Sequence, residues 1–158
     1  MKNLLTISAI TMSFLLGCTS NRTLVQQEAN NNMYADSLQT TEIANKYWKL
    51  VMLDGKMITM VPNQEREAYF TLKTDQKMIN GFAGCNSFTG NYTQENGGRI
   101  RFSQMATTMK ACPDVNINEG DYLKVFELAD NYTIHNDTLF LNVGRRAPLA
   151  TFAEVYLQ

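Results

Sequence analysis

Histidine occurs once in this 158-residue chain, cysteine three times, proline three times and tryptophan once. One histidine, His135, gives thin support to a Ser–His triad or a Cys–His pair, and serines 87 and 103 lack the Gly-x-Ser-x-Gly context of a nucleophile elbow. Metal chemistry would need several His, Cys or carboxylate side chains at ligand spacing, and none stand so; neither a metal nor an organic cofactor is expected. A surplus of either charge is also missing. Removing Lys2 with the leader described below leaves 13 basic against 15 acidic side chains. The only dense basic pairs are Arg99 with Arg101 and Arg145 with Arg146, too few to neutralise a phosphate backbone, so nucleic acid is excluded as the partner.

What is present begins with an export signal. Residues 1–17 carry Lys2 and then an apolar run too short to span a bilayer comfortably. The run ends Leu15-Leu16-Gly17-Cys18, which resembles the bacterial lipobox. The expectation is a lipoprotein-type signal peptide, cleavage before Cys18 and acylation of that cysteine. Several acyl chains anchor stably where one does not. Thr19, where an aspartate would retain the protein elsewhere, points to the outer membrane facing the periplasm. Residues 18–45 are polar, without apolar periodicity, and read as a disordered tether.

From residue 46 to 158 the texture changes to short apolar runs punctuated by turn residues. Strands are predicted at 47–53, 56–60, 68–74, 77–82, 88–93, 99–103, 131–135, 138–143 and 149–157. Alternation supports them: Phe70 and Leu72 face opposite to Lys73, and Ile100 and Phe102 opposite to Arg99 and Arg101. Asn96-Gly97-Gly98 is a hairpin signal. One segment has helical spacing instead, with Tyr122, Val125, Phe126 and Ala129 on one face of a helix near 117–130. Asn116 with Glu119 reads as its capping pair. About eight hairpin-linked strands with one late helix predict a mostly β (α+β) fold. The sheet is small, antiparallel and barrel-like, closed or nearly closed, which avoids exposed edge strands, with the helix packed on it.

Cys85 and Cys112 remain besides Cys18. An exported pair in an oxidising compartment most often forms a disulfide, here across 27 residues. The competing use is a nucleophilic thiolate, which wants a base nearby. Asn86, between Cys85 and Ser87, reads as a buried or turn amide that satisfies backbone groups where the strand bends. Two other groupings have bland readings. Methionines three and four apart (57 and 60, 105 and 109) are more simply core fillers than copper ligands. Glu119, Asp121, Glu127 and Asp130 read as the wet face of the helix.

GCNSFTGNY at 84–92, ATTMKACPD at 106–114, the helix, and NYTIHNDTLFL at 131–141 stand in a fixed order. Together they resemble the META domain of HslJ-like heat-shock lipoproteins over about residues 46–158. The motif positions are Gly84, Asn86, Phe88, Gly90 and Tyr92. The resemblance implies a barrel-like fold with one helix and a place in the bacterial envelope. It implies a link to stress but no established catalytic activity, so no catalytic residue carries over. The expected function is that of a non-catalytic envelope lipoprotein, held by its lipid and acting through other envelope proteins. A small-ligand-binding barrel or a protease inhibitor presenting a rigid loop near the disulfide are the alternatives.

Overall fold

The computed structural model describes residues 43–62, 64–113 and 115–156. The signal peptide, Cys18 and the tether up to residue 42 lie outside the described residues. Nine strands form one antiparallel sheet: β1 (Tyr47–Leu53), β2 (Lys56–Met57), β3 (Tyr69–Lys73), β4 (Met78–Phe82), β5 (Ser87–Glu95), β6 (Arg99–Thr107), β7 (Asn131–His135), β8 (Thr138–Asn142) and β9 (Ala150–Val155). A single described helix, α1 (Glu119–Leu128), joins β6 to β7. β9 returns to pair with β1 from Tyr47↔Val155 to Leu53↔Ala150, closing eight strands into a barrel. The two-residue β2 is appended to β1.

Side-chain alternation builds the interior. Trp48 and Leu50 of β1, Phe70 and Leu72 of β3, Ile79 of β4, Leu139 and Leu141 of β8 and Phe152 of β9 are buried. Arg99, Arg101 and Lys73 stay outside. Ile43 and Ala44, which the sequence reading assigned to the tether, are buried too. The Ile43 carbonyl accepts the Trp48 indole N–H at 2.7 Å, and Asn45 N donates to the Leu72 carbonyl at 2.8 Å. The folded unit therefore includes Ile43.

The helix does more than lie on the sheet. Its buried face is Tyr122, Val125 and Phe126. The Phe126 ring meets Phe70 of β3 at 5.5 Å, Phe88 of β5 at 5.1 Å and Phe102 of β6 at 5.2 Å, mostly edge-on. Tyr122 meets Phe88 at 5.8 Å and Phe152 of β9 at 6.2 Å. Rings from β3, β5, β6 and β9 thus converge on one helix face, so these aromatic groups help fill the barrel interior. Burying Phe126 contributes about 1.5–3 kcal/mol from area alone, and each well-placed aromatic pair adds about 0.5–1.5 kcal/mol.

Several boundaries differ from expectation for identifiable reasons. The helix cap is Asn118, whose side chain accepts from Asp121 N at 3.2 Å; Asn116 and Glu119 do not form the capping pair. β6 runs on to Thr107 because Gln104, at φ 52°, makes a bulge that breaks the alternation without ending the pairing with β5. β2 ends at Met57, with Ile58 N still donating to the Val51 carbonyl of β1 at 3.0 Å, and residues 59–60 leave the sheet.

Candidate functional site

The run beginning at Gly84 turns the chain from β4 into β5. Gly84 has φ 114°, and a Cβ there would lie 2.3 Å from Ile117 Cγ2, so the turn accepts no other residue without distortion. The turn closes with Ala83 N donating to the Asn86 carbonyl at 2.8 Å. Cys85 is bonded to Cys112, with Cα atoms 5.9 Å apart. That bond staples the β4–β5 corner to the chain between β6 and α1, and neither sulfur is left as a thiolate.

Asn86 is buried and every polar atom of its side chain is engaged. Oδ1 accepts from Lys110 N at 2.6 Å and from Thr108 Oγ1 at 2.8 Å. Nδ2 donates to the Lys110 carbonyl at 3.1 Å and to Glu119 Oε2 at 2.6 Å. Glu119 Oε1 in turn accepts the backbone N–H of Cys85 at 2.8 Å and of Asn86 at 2.6 Å. The amide thus copies a strand partner for the 108–110 segment, while the carboxylate caps two backbone donors that the turn leaves unpaired. Sequence reasoning placed Asn86 correctly as a backbone-satisfying amide and missed Glu119, assigning it to the wet face of the helix.

The remaining motif residues continue along β5. Phe88 packs its ring over Gly81 of β4, where a Cβ would come within 2.3 Å of it, and against Tyr122 and Phe126. Gly90 faces Met105 across the β5–β6 bulge, and Tyr92 is buried with Lys77 Nζ 5.6 Å from its ring centre. Burial raises the Tyr92 phenol above its ordinary pKa, as it does more strongly for Tyr122. Met105 packs against the core while Met57, Met60 and Met109 are exposed, so core filling holds for only one of the four methionines paired by spacing.

The polar groups at this corner are taken up by the fold. The carboxylate beside the disulfide is held by three donors, and His135 is exposed at the β7–β8 turn opposite Thr138. Among the described residues no group of three His, Cys, Asp or Glu side chains is placed to hold a metal ion. Asp130, also read as wet face, belongs to a different junction: its Oδ1 accepts from Gly144 N at 2.8 Å and Asn131 Nδ2 at 2.6 Å. Those donors, the Gly144 N–H first, hold its carboxyl below the usual carboxylate range.

The META domain family matches residues 41–156. Two solved solution structures are similar over most of the chain. One is a protein from Burkholderia xenovorans, 23% identical, with 75% of this chain and 87% of that chain covered at a TM-score of 0.59. The other is 18% identical, with 72% and 92% covered at a TM-score of 0.56. At those identities the likeness concerns the fold. No curated protein matches the chain.

Proposed function

The chain belongs to the META domain family, and from that membership we propose a non-catalytic lipoprotein of the bacterial envelope, anchored through Cys18 and acting by contact with other envelope proteins, with a role under stress. The observation that carries this reading is the helix-plugged barrel. Phe126, Tyr122, Phe70, Phe88 and Phe152 occupy the interior that a lipocalin-like binder would keep open. The polar corner is likewise consumed by its own backbone, which leaves the outer surface to act. Replacing Cys18 by Ser should move the protein from the membrane pellet to the soluble fraction, and unchanged fractionation would count against the anchor. His135→Ala should complement a deletion strain fully in stress survival; loss of complementation with the fold intact would reopen catalysis.

A specific observation favours protease inhibition as the second reading. The segment 108–111 is exposed, fixed at Thr108 and Lys110 by Asn86 and held at its end by the half-buried Cys112 of the disulfide, and Met109 is 96% exposed. A rigid loop offering one unbranched side chain loses little entropy when a pocket takes it. Met109→Asp should abolish any inhibition found in a protease panel, and inhibition that survives it would place the contact elsewhere.

A further inference from the structure

β6 and β7 are joined by a single register pair, Arg99↔Asn131. Ile100 N donates to the Asp130 carbonyl at 3.3 Å and Tyr132 N to the Gly98 carbonyl at 2.8 Å. Beyond that pair the strands part, and the seam opens outward as a cleft of about 530 Å³. Arg99 and Arg101 of β6 line one side, and Arg145, brought in by the β8–β9 connection, lines another. We propose that this cleft binds a phosphate group, held by the guanidinium groups of Arg99, Arg101 and Arg145.

Three features support it. None of the three arginines forms an ion pair within 4.0 Å among the described residues, although two carboxylates, Glu95 and Asp130, line the same cleft. Asp130 instead accepts the Gly144 N–H and the Asn131 amide, and Asn131 is held in turn by Asn142 Nδ2 at 3.1 Å. The residue next to Arg145 is therefore fixed before any ligand arrives, which lowers the ordering cost of binding. Second, three guanidinium forks approaching from β6 and from the β8–β9 connection suit the tetrahedral oxygens of a phosphate, which spread in three dimensions, better than the two coplanar oxygens of a carboxylate. Third, three cations against two carboxylates leave one positive charge in excess, matched to a singly charged phosphodiester rather than a polyphosphate. Thr93 and Thr133 add hydroxyls at the rim.

A phosphodiester can come from a soluble molecule or from a lipid headgroup, so the test has two arms. The full-length chain carrying Cys18→Ser, which removes the anchor, is titrated with dimethyl phosphate and followed by backbone amide NMR. The same protein is floated with vesicles of phosphatidylglycerol or of phosphatidylcholine. We expect saturable shifts at Arg99, Arg101, Gly144 and Arg145, and an affinity about tenfold weaker in Arg101→Gln. Arg99→Gln/Arg101→Gln should abolish binding with unchanged thermal melting. Flotation with phosphatidylglycerol alone, lost in the double variant, assigns the phosphate to a lipid; a response to dimethyl phosphate without flotation assigns it to a soluble ligand. The proposal is overturned if sodium chloride at equal ionic strength gives the same shifts, or if the double variant matches its parent in both arms.

Discussion

At the corner after β4, the Asn86 side chain and the Glu119 carboxylate pair with backbone groups and with each other, and a disulfide ties the same segments together. At the β6–β7 seam the sheet is held by one register pair and three arginines face an open cleft. The corner's polar side chains satisfy the fold, whereas the seam's charges are directed outward. Besides its few backbone hydrogen bonds the seam has an apolar brace, Phe102 of β6 against Phe126 of the helix that leads into β7. Two places that look equally polar in sequence therefore differ in what removing them should do.

The largest effect should come from the apolar brace. Phe126→Ala empties the point where rings from three strands meet, and should cost about 3–5 kcal/mol in urea unfolding. A loss below 1 kcal/mol would mean that the seam is braced by something else. Next comes the staple at the corner. Cys85→Ser/Cys112→Ser opens a loop of 27 residues and should cost about 3.5 kcal/mol in the chain-entropy model. Alkylation of both thiols in the native exported protein, read by mass spectrometry, would remove the premise.

Glu119→Gln sharpens the contrast most directly. It keeps the shape but turns an amide N–H₂ toward one of the three donors that the carboxylate now accepts. About 2 kcal/mol should be lost, against less than about 0.5 kcal/mol for Arg99→Gln at the seam. Equal small losses at both sites would erase the distinction between them. Still smaller is Tyr122→Phe. The buried Tyr122 hydroxyl has no hydrogen-bond partner among the described residues, so its removal should be neutral or stabilising by up to about 1 kcal/mol. A clear loss of melting temperature would point to a bridging water.

The strands were legible because local alternation decides which face of each is buried. Phe70 and Leu72 against Lys73, or Ile100 against Arg99 and Arg101, are visible within five residues. The family pattern was legible for the same reason, since Gly84, Asn86, Phe88, Gly90 and Tyr92 sit on one continuous turn and strand. What was not legible depends on long separation. Glu119 stands three residues before Tyr122 and seven before Phe126, on their side of the helix, but nothing local says that its carboxylate reaches Cys85 N, 34 residues back. Arg145 comes to the cleft of Arg99 and Arg101 because β7 pairs with both β6 and β8, setting Asn131 opposite Arg99 on one side and opposite Asn142, just before Gly144 and Arg145, on the other. Ile43 looked like tether because three residues are too few to show a period, though it lies wholly in the core.

The finest test of the seam is pH. Asp130 is held by the Gly144 N–H and the Asn131 amide, and its folded pKa lies below its ordinary value. The sign follows from linkage: a carboxyl bound more tightly in its charged form contributes stability that is fully present above its unfolded pKa of about 3.9. That contribution is lost as the pH falls from there through the lower folded value. Asp130→Asn, whose amide oxygen can still accept from Gly144, should be less stable than the parent at pH 7, and the gap should close on the acid side of pH 4. The group is largely open to solvent, so the gap is small and salt should shrink it further. Urea unfolding of both proteins at pH 7, 5 and 3 reads it. A gap that stays constant down to pH 3 would show that the junction depends on the shape of the Asp130 side chain and not on its charge, and that the seam's electrostatics reside in its arginines alone.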